Sequence, residues 1–116
     1  MNDSVEQLRQ RLLHFAQARD WLQFHSPKNL SCALVVEAGE LLEHFQWLSD
    51  EQSRALPAPQ RAEVAAEMAD VFIYLLQLST AMGVDLLQAA REKIERNEQR
   101  YPVALSRVHN RKADRL

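Results

Sequence analysis

The chain is poor in cysteine and carries no excess of positive charge. Cys32 is the only cysteine among 116 residues, which excludes an intrachain disulfide and a cysteine-rich metal site. The formal net charge is −2 and the pI is about 6.1, whereas nucleic-acid binders usually show a basic patch or a high pI. We therefore expect no nucleic-acid partner.

Long apolar runs and a secretory leader pattern are also missing. The longest uncharged stretch, residues 71–84, has 14 residues, fewer than the ~20 that a helix needs to span a bilayer. The first residues lack the basic-then-apolar order of a signal peptide. We expect a cytoplasmic protein with no membrane partner.

Glycine and proline are scarce, with two and four residues respectively, and they fall where helices would start or stop. Apolar residues recur at helical intervals, and no β-type alternation is seen. Ser26-Pro27 and Asp85 are start signals, and Gly83 is a stop signal. The pattern predicts an all-α fold of four helices, at about residues 4–24, 26–48, 59–82 and 85–100.

The same reading gives a domain boundary and a prediction about assembly. One domain should cover residues 1–102, followed by a basic, flexible tail at residues 103–116. Residues 71–78 are apolar on nearly every side of the third helix, which indicates burial all round. One short chain can barely supply that cover, so we expect a homodimer or homotetramer built around an intersubunit helical bundle.

Two pairs of carboxylates are spaced by one helical turn inside apolar sequence. Glu37 and Glu40 form one pair, and Glu67 and Asp70 form the other. Each pair shares a helix face, and neither has Lys or Arg four residues away. Four like charges brought together in a helical core need a cation to offset repulsion and desolvation. Oxygen-only ligands suit Mg²⁺, and Mg²⁺ held in this way points to phosphate chemistry.

Each acidic pair, taken alone, also has a simpler explanation as an exposed acidic edge. The two pairs together favour a metal site, because each lies beside the leucine or valine stripe of its helix rather than opposite it. No Gly-rich phosphate loop is present, which excludes ordinary NTPases of that class. No Glu-x-x-His pair follows the carboxylates, which argues against a ferritin-like di-iron bundle.

Candidate ligand-binding residues lie elsewhere in the chain. Lys and Arg near the C-terminal end of a helix are favoured by the helix dipole in any protein. Beside a Mg²⁺ site, such residues could also bind an anion. Lys93 and Arg100 would then supply charge to a polyphosphate and Asn97 hydrogen bonds. Aromatic residues are core by default, and among the candidates for contact with a base are Trp21, His25, Trp47 and Tyr101.

The motifs taken together resemble the MazG-like, all-α nucleoside triphosphate pyrophosphohydrolases, and most of all their dCTP pyrophosphatase branch. The resemblance covers roughly residues 15–102. It is carried by the two carboxylate pairs and by RDWLQFH at 19–25, PKNL at 27–30, EAGEL at 37–41, FQW at 45–47, DVFIYL at 70–75, and Lys93, Asn97 and RYP at 100–102.

The resemblance implies Mg²⁺-dependent hydrolysis of a (deoxy)nucleoside triphosphate, dCTP or a modified dCTP, to the monophosphate and pyrophosphate. It implies Mg²⁺ on Glu37, Glu40, Glu67 and Asp70. Positions like Lys93, Asn97 and Tyr101 lie toward phosphates and sugar in the family, and positions like Trp21, His25 and Trp47 lie toward the base. For catalysis we expect Glu40 to activate water, with Glu37 and Lys93 assisting.

Two other functions are compatible with the same residues. A related helical pyrophosphohydrolase would act on another nucleotide, such as dUTP or phosphoribosyl-ATP. A non-catalytic module would bind nucleotide or metal without turnover.

Overall fold

The structure is a computed structural model that describes residues 4–101 and residue 103. Every regular element in this part of the chain is helical. The elements are α1 (Val5–Ala18), a 3-10 helix (Leu22–Phe24), α2 (Pro27–Glu43), α3 (Asp50–Ser53), α4 (Ala58–Met82) and α5 (Leu86–Arg100). The all-α prediction is confirmed. The predicted tail, apart from Val103, lies outside the described residues.

The predicted start and stop signals act as expected. The Ser26 hydroxyl accepts a hydrogen bond from the Asn29 backbone N–H at 3.1 Å, and Pro27 opens α2. Gly83 ends α4 in the left-handed conformation with φ 64°, which costs a glycine little. The Asp85 side chain caps α5 by accepting from the Gln88 N–H at 3.1 Å.

Two predicted helices are too long. The first was expected to reach residue 24 but ends at Ala18, because Asp20 adopts φ 55°, a left-handed conformation that breaks the helical ladder. The second was expected to reach residue 48 but ends at Glu43. Beyond Glu43 the chain continues in turns whose backbone hydrogen bonds mostly join residues three apart. The Leu48 N–H, for example, donates to the Phe45 carbonyl at 2.9 Å.

The segment expected to be a loop, residues 49–58, contains the short helix α3. Ser49 and Gln52 form a capping box: the Gln52 N–H donates to the Ser49 hydroxyl at 3.1 Å, and the Ser49 N–H donates to Gln52 Oε1 at 2.9 Å. Such reciprocal capping satisfies two backbone donors and stabilises a single turn. The predicted helices therefore correspond to α1, α2, α4 and α5, and α3 was missed.

The chain divides into two compact units, Met1–Gly83 and Val84–Leu116. In the first unit α4 packs along α2 and also contacts α1. Its core is small: the buried apolar side chains among the described residues are Ala16, Leu30, Val64 and Leu76. Arg9 on α1 reaches α4, where Nη1 donates to Thr80 Oγ1 at 3.2 Å. The second unit contains α5.

Helix α4 is exposed for an apolar helix. By length and composition this helix is long and apolar enough to span a membrane, but core helices of water-soluble proteins meet the same criterion. Only 17% of its most apolar 18-residue segment is buried in the structure. Met68 on α4 is 57% exposed, and Val35 on α2 is 70% exposed. The described residues of one chain therefore do not bury this helix on every side, as the sequence predicted.

Candidate functional site

The packing of α2 along α4 brings the two acidic pairs together. One carboxylate oxygen from each of Glu37, Glu67 and Asp70 lies within 4.8 Å of the other two. Glu40, the fourth predicted acid, lies close enough to Glu37 and Glu67 to raise the pKa of both carboxyl groups. We call these four residues the acidic cluster. The sequence placed two acids on each of two helices, and the helix contact joins them into one group.

Crowding of like charges raises the pKa of two carboxyl groups in the cluster. A hydrogen bond shared with Glu40, burial, and the charges of Glu40, Asp70 and Glu67 raise the pKa of Glu37 from 4.5 to about 7. Burial and the nearby charge of Glu40 also raise the pKa of Glu67. Both shifts have the causes expected when carboxylates are crowded away from water.

The cluster also contains oxygen atoms without partners. Glu37 Oε2 and Glu67 Oε2 are buried and accept no hydrogen bond. Buried polar atoms are nearly always paired, so these orphaned acceptors are suited to a ligand that the chain itself does not supply. A hard divalent cation fits this donor set, since it prefers several oxygen ligands, carboxylates among them.

His44 is a neighbour of the cluster that the sequence left unassigned. It caps the end of α2, and its Nδ1 atom lies 4.0 Å from Glu63 Oε2 on α4. Its charge, when protonated, lowers the pKa of Glu67. The signal in the sequence was its position four residues after Glu40, on the same helical face.

A cavity of 520 Å³ opens beside the cluster, between α1 and α4. We call it the aromatic cavity. Asp70 lines it, so this residue belongs to both the cluster and the cavity. The lining also includes Arg11, Leu12, Phe15, Trp21, Tyr74 and Gln77. Its volume falls within the range of roughly 300–1,000 Å³ typical of small-molecule pockets.

The predicted base-contacting residues are placed differently from one another. Trp21 lines the aromatic cavity and packs edge-to-face on Phe15, with ring centroids 5.5 Å apart. His25 lines a second cavity of 230 Å³ that shares Leu12 and Gln77 with the first. Trp47 lies in the turn after α2 and is 87% exposed. The sequence predicted that this helix would reach residue 48 and include Trp47, but α2 ends at Glu43, so Trp47 lies beyond it.

The predicted phosphate-binding residues lie in the second unit. Lys93, Asn97 and Arg100 recur along α5 at helical spacing, with Lys93 exposed and Asn97 half-buried. The Tyr101 N–H donates to the Asn97 carbonyl at 2.9 Å, and the Arg100 guanidinium lies 5.8 Å from the Tyr101 ring centre. Asn97, Arg100 and Tyr101 therefore lie together at the end of α5, and Lys93 lies about one turn before Asn97.

Sequence reasoning missed Phe15 and Gln77 in the cavity lining. Phe15 is one of the apolar residues that recur at helical intervals along α1, and such a periodic pattern does not reveal which of its members borders a cavity. Gln77 did leave a signal, because it is an amide within the otherwise largely apolar residues 71–78.

Comparison with known proteins connects this geometry to a family. The MazG-like family model matches residues 32–115. Mouse (Mus musculus) dCTP pyrophosphatase 1 is 49% identical over 106 residues, which cover 90% of this chain and 62% of that protein. Human (Homo sapiens) dCTP pyrophosphatase 1 is 43% identical over 119 positions, covering 97% of this chain and 68% of the human protein.

A solved structure shows the same fold. The crystal structure of a pyrophosphatase from Archaeoglobus fulgidus superposes with a TM-score of 0.81 at 38% identity, covering 88% of this chain and 95% of that one. The present chain spans about three fifths of the length of the mouse relative. With a family model that matches most of its length and relatives at this level of identity, the chain belongs to the MazG-like family.

Proposed function

We propose that this protein hydrolyses deoxynucleoside triphosphates, dCTP or a modified dCTP in particular, to the monophosphate and pyrophosphate in a Mg²⁺-dependent reaction. The observation that carries the proposal is the position of Asp70, which joins a cluster of carboxylates to an aromatic cavity. A triphosphate and a base need those two environments side by side. The names of the mouse and human relatives support dCTP as the substrate.

Glu37, Glu67 and Asp70 would hold the Mg²⁺ ion, with Glu40 close enough to join them. A bound Mg²⁺ would offset the charge of the triphosphate and acidify a bound water. The two unpaired oxygens, Glu37 Oε2 and Glu67 Oε2, support this assignment because a cation would satisfy both.

In the proposed reaction Glu40 accepts a proton from the water that attacks the α-phosphorus. The bond from the α-phosphorus to its bridging oxygen breaks, and pyrophosphate leaves. Glu37, whose carboxyl group interacts with that of Glu40, would orient it. Lys93 and Arg100 would contact the departing pyrophosphate, Asn97 and Tyr101 the phosphates and sugar, and Trp21, His25 and Trp47 the base side of the site.

A second copy of the chain is part of this proposal. Apolar side chains of α2 and α4 are exposed within one chain, and burying them between two copies would build the intersubunit bundle. We propose a homodimer or homotetramer on this ground. A cytoplasmic location, where nucleotide pools are found, follows from the proposed activity, which requires neither nucleic acid nor membrane.

The test is a product assay with the common NTPs and dNTPs, with and without Mg²⁺. We expect monophosphate and pyrophosphate only when Mg²⁺ is present, with dCTP among the best substrates. Release of orthophosphate would contradict the proposed bond cleavage. Preference for dUTP or phosphoribosyl-ATP would indicate a related pyrophosphohydrolase, and nucleotide binding without any product would indicate a binding module.

A further inference from the structure

Gln77 is a half-buried residue whose side-chain amide oxygen is itself buried and has no partner. Its Oε1 atom is shielded from water and accepts no hydrogen bond, and the only other such side-chain atoms in the described part of the chain belong to Glu37 and Glu67. A cation held by the acidic cluster would satisfy those two carboxylates, but Gln77 lies about 10 Å along α4 from Asp70, too far to share that ion. An unpaired buried acceptor is unfavourable, so Gln77 calls for a different ligand, one that offers a hydrogen-bond donor.

The position of Gln77 indicates where that donor comes from. Gln77 lines the aromatic cavity together with Asp70 and Tyr74, and the spacing of these residues places them on one face of α4. Seven residues of helix correspond to about 10 Å along the axis. That is the order of the span from the α-phosphate of a nucleotide to the edge of its base. A nucleotide whose phosphates lie near Asp70 would therefore bring its base to Gln77.

The surroundings of Gln77 also suit a base. Phe15 and Trp21 supply aromatic surface in the same cavity, on which a base can stack. Leu12 and Leu76 line the cavity near Gln77, and their side chains carry no hydrogen-bonding atoms. The final torsion of a glutamine side chain is soft, so the amide can turn its oxygen into the cavity when a ligand enters.

We propose that Gln77 determines base specificity, with its Oε1 atom accepting a hydrogen bond from the exocyclic 4-amino group of cytosine. This assignment rests on the proposed nucleotide site and adds to it the residue that reads the base. A pyrimidine without the amino group leaves the amide oxygen unpaired, and such a site rejects the ligand that lacks the donor.

The experiment measures binding with two non-hydrolysable nucleotides in the presence of Mg²⁺. One is the α,β-imido analogue of dCTP, and the other is the same compound with 2-pyrimidinone, which lacks the 4-amino group. We expect calorimetry on the wild-type chain to show the cytosine compound binding at least about tenfold tighter. Gln77→Met, which keeps the size of the side chain, should abolish the difference by weakening only the cytosine compound.

The matched control is Gln60→Met, the same change at an exposed position on α4, which should keep the wild-type ratio. Equal binding of the two compounds to the wild type, or an unchanged ratio in Gln77→Met, would overturn the proposal. If Gln77→Met does not fold, the side-chain amide resonance of Gln77 in the wild type decides instead. It should shift with the cytosine compound and stay in place with the other.

Failure of the proposed function gives a different result. The chain could release no pyrophosphate from dCTP and still discriminate between the two analogues through Gln77. The proposed hydrolysis would then be wrong, and the proposed role of Gln77 in base specificity would stand. A chain that hydrolyses dCTP but binds both analogues equally would have the activity without this specificity residue.

Discussion

The four acidic residues differ in their surroundings although the sequence presents them as two equivalent pairs. Glu37, Glu67 and Asp70 approach one another closely enough to share one ion, whereas Glu40 stands outside this group of three and raises the pKa of Glu37 and Glu67. This asymmetry is the basis for proposing Glu37, Glu67 and Asp70 as metal ligands and Glu40 as the base. Each role can be tested with a single oxygen-to-nitrogen change.

Glu40→Gln should lower kcat by about 10²–10⁴-fold, since the amide cannot take a proton from water. Steady-state pyrophosphate release with saturating Mg²⁺ measures the effect. Glu43→Gln is the matched control, because Glu43 lies on the same helix, is exposed, and is outside the acidic cluster. Full activity in Glu40→Gln would contradict the assignment of the base.

The raised pKa of Glu37 predicts how the metal-free protein responds to pH. The folded carboxyl, with a pKa of about 7 against an ordinary 4.5, binds a proton at pH values where the unfolded one has lost it. Stability from this group is therefore full below about pH 4.5 and is lost as the pH rises through 7. The thermal midpoint in EDTA should fall between pH 5 and pH 8.

Glu37→Gln isolates this contribution. The variant cannot ionise at this position, so in EDTA it should gain stability relative to the wild type as the pH rises from 5 to 8. Scanning calorimetry at several pH values gives the difference directly. A difference between the two proteins that does not change with pH would rule out a raised pKa at Glu37.

At the scale of the element, local signals fix most helix ends. Ser4, Ser26, Ser49 and Asp85 each cap a helix through the backbone N–H three residues later, and the sequence showed two of these caps in advance. It failed where a helix ends without glycine or proline. Helix α1 ends just before Asp20, and α2 ends at the C-cap His44. Neither aspartate nor histidine is a dependable stop signal.

The two glycines make a paired prediction about helix stability. Gly39 lies inside α2 with open space where a Cβ would point, so Gly39→Ala should stabilise the fold by about 1 kcal/mol. Gly83 has φ 64°, so Gly83→Ala should destabilise it by roughly 1 kcal/mol. Urea unfolding measures both, and effects of the same sign would contradict the argument.

At the scale of the whole molecule, the exposed apolar surface is the main feature. Few apolar side chains are buried among the described residues, and α4 is mostly exposed for a helix of its composition. An exposed apolar surface of this kind usually marks an interaction site. The proposed second copy would cover it by packing against α2 and α4.

Val35→Glu tests this assembly. Val35 is 70% exposed on α2, and a charge there would be buried without a partner in the proposed interface. Light scattering should give the wild type a mass of at least two 13.4 kDa chains and shift the variant toward one. Gln60→Glu, on the exposed start of α4, should leave the mass unchanged. A monomeric wild type would contradict the proposal.

The sequence by itself determined the all-α class, four of the helices, and the placement of each pair of carboxylates on one face of its helix. These features depend on interactions within four residues along the chain, which a sequence displays directly. Only the tertiary structure decided that the two pairs form one group, that Asp70 also borders a cavity, and that the oxygen of Gln77 is buried without a partner. Those facts depend on how α1, α2 and α4 pack, because distances between helices are set by side chains far apart in sequence.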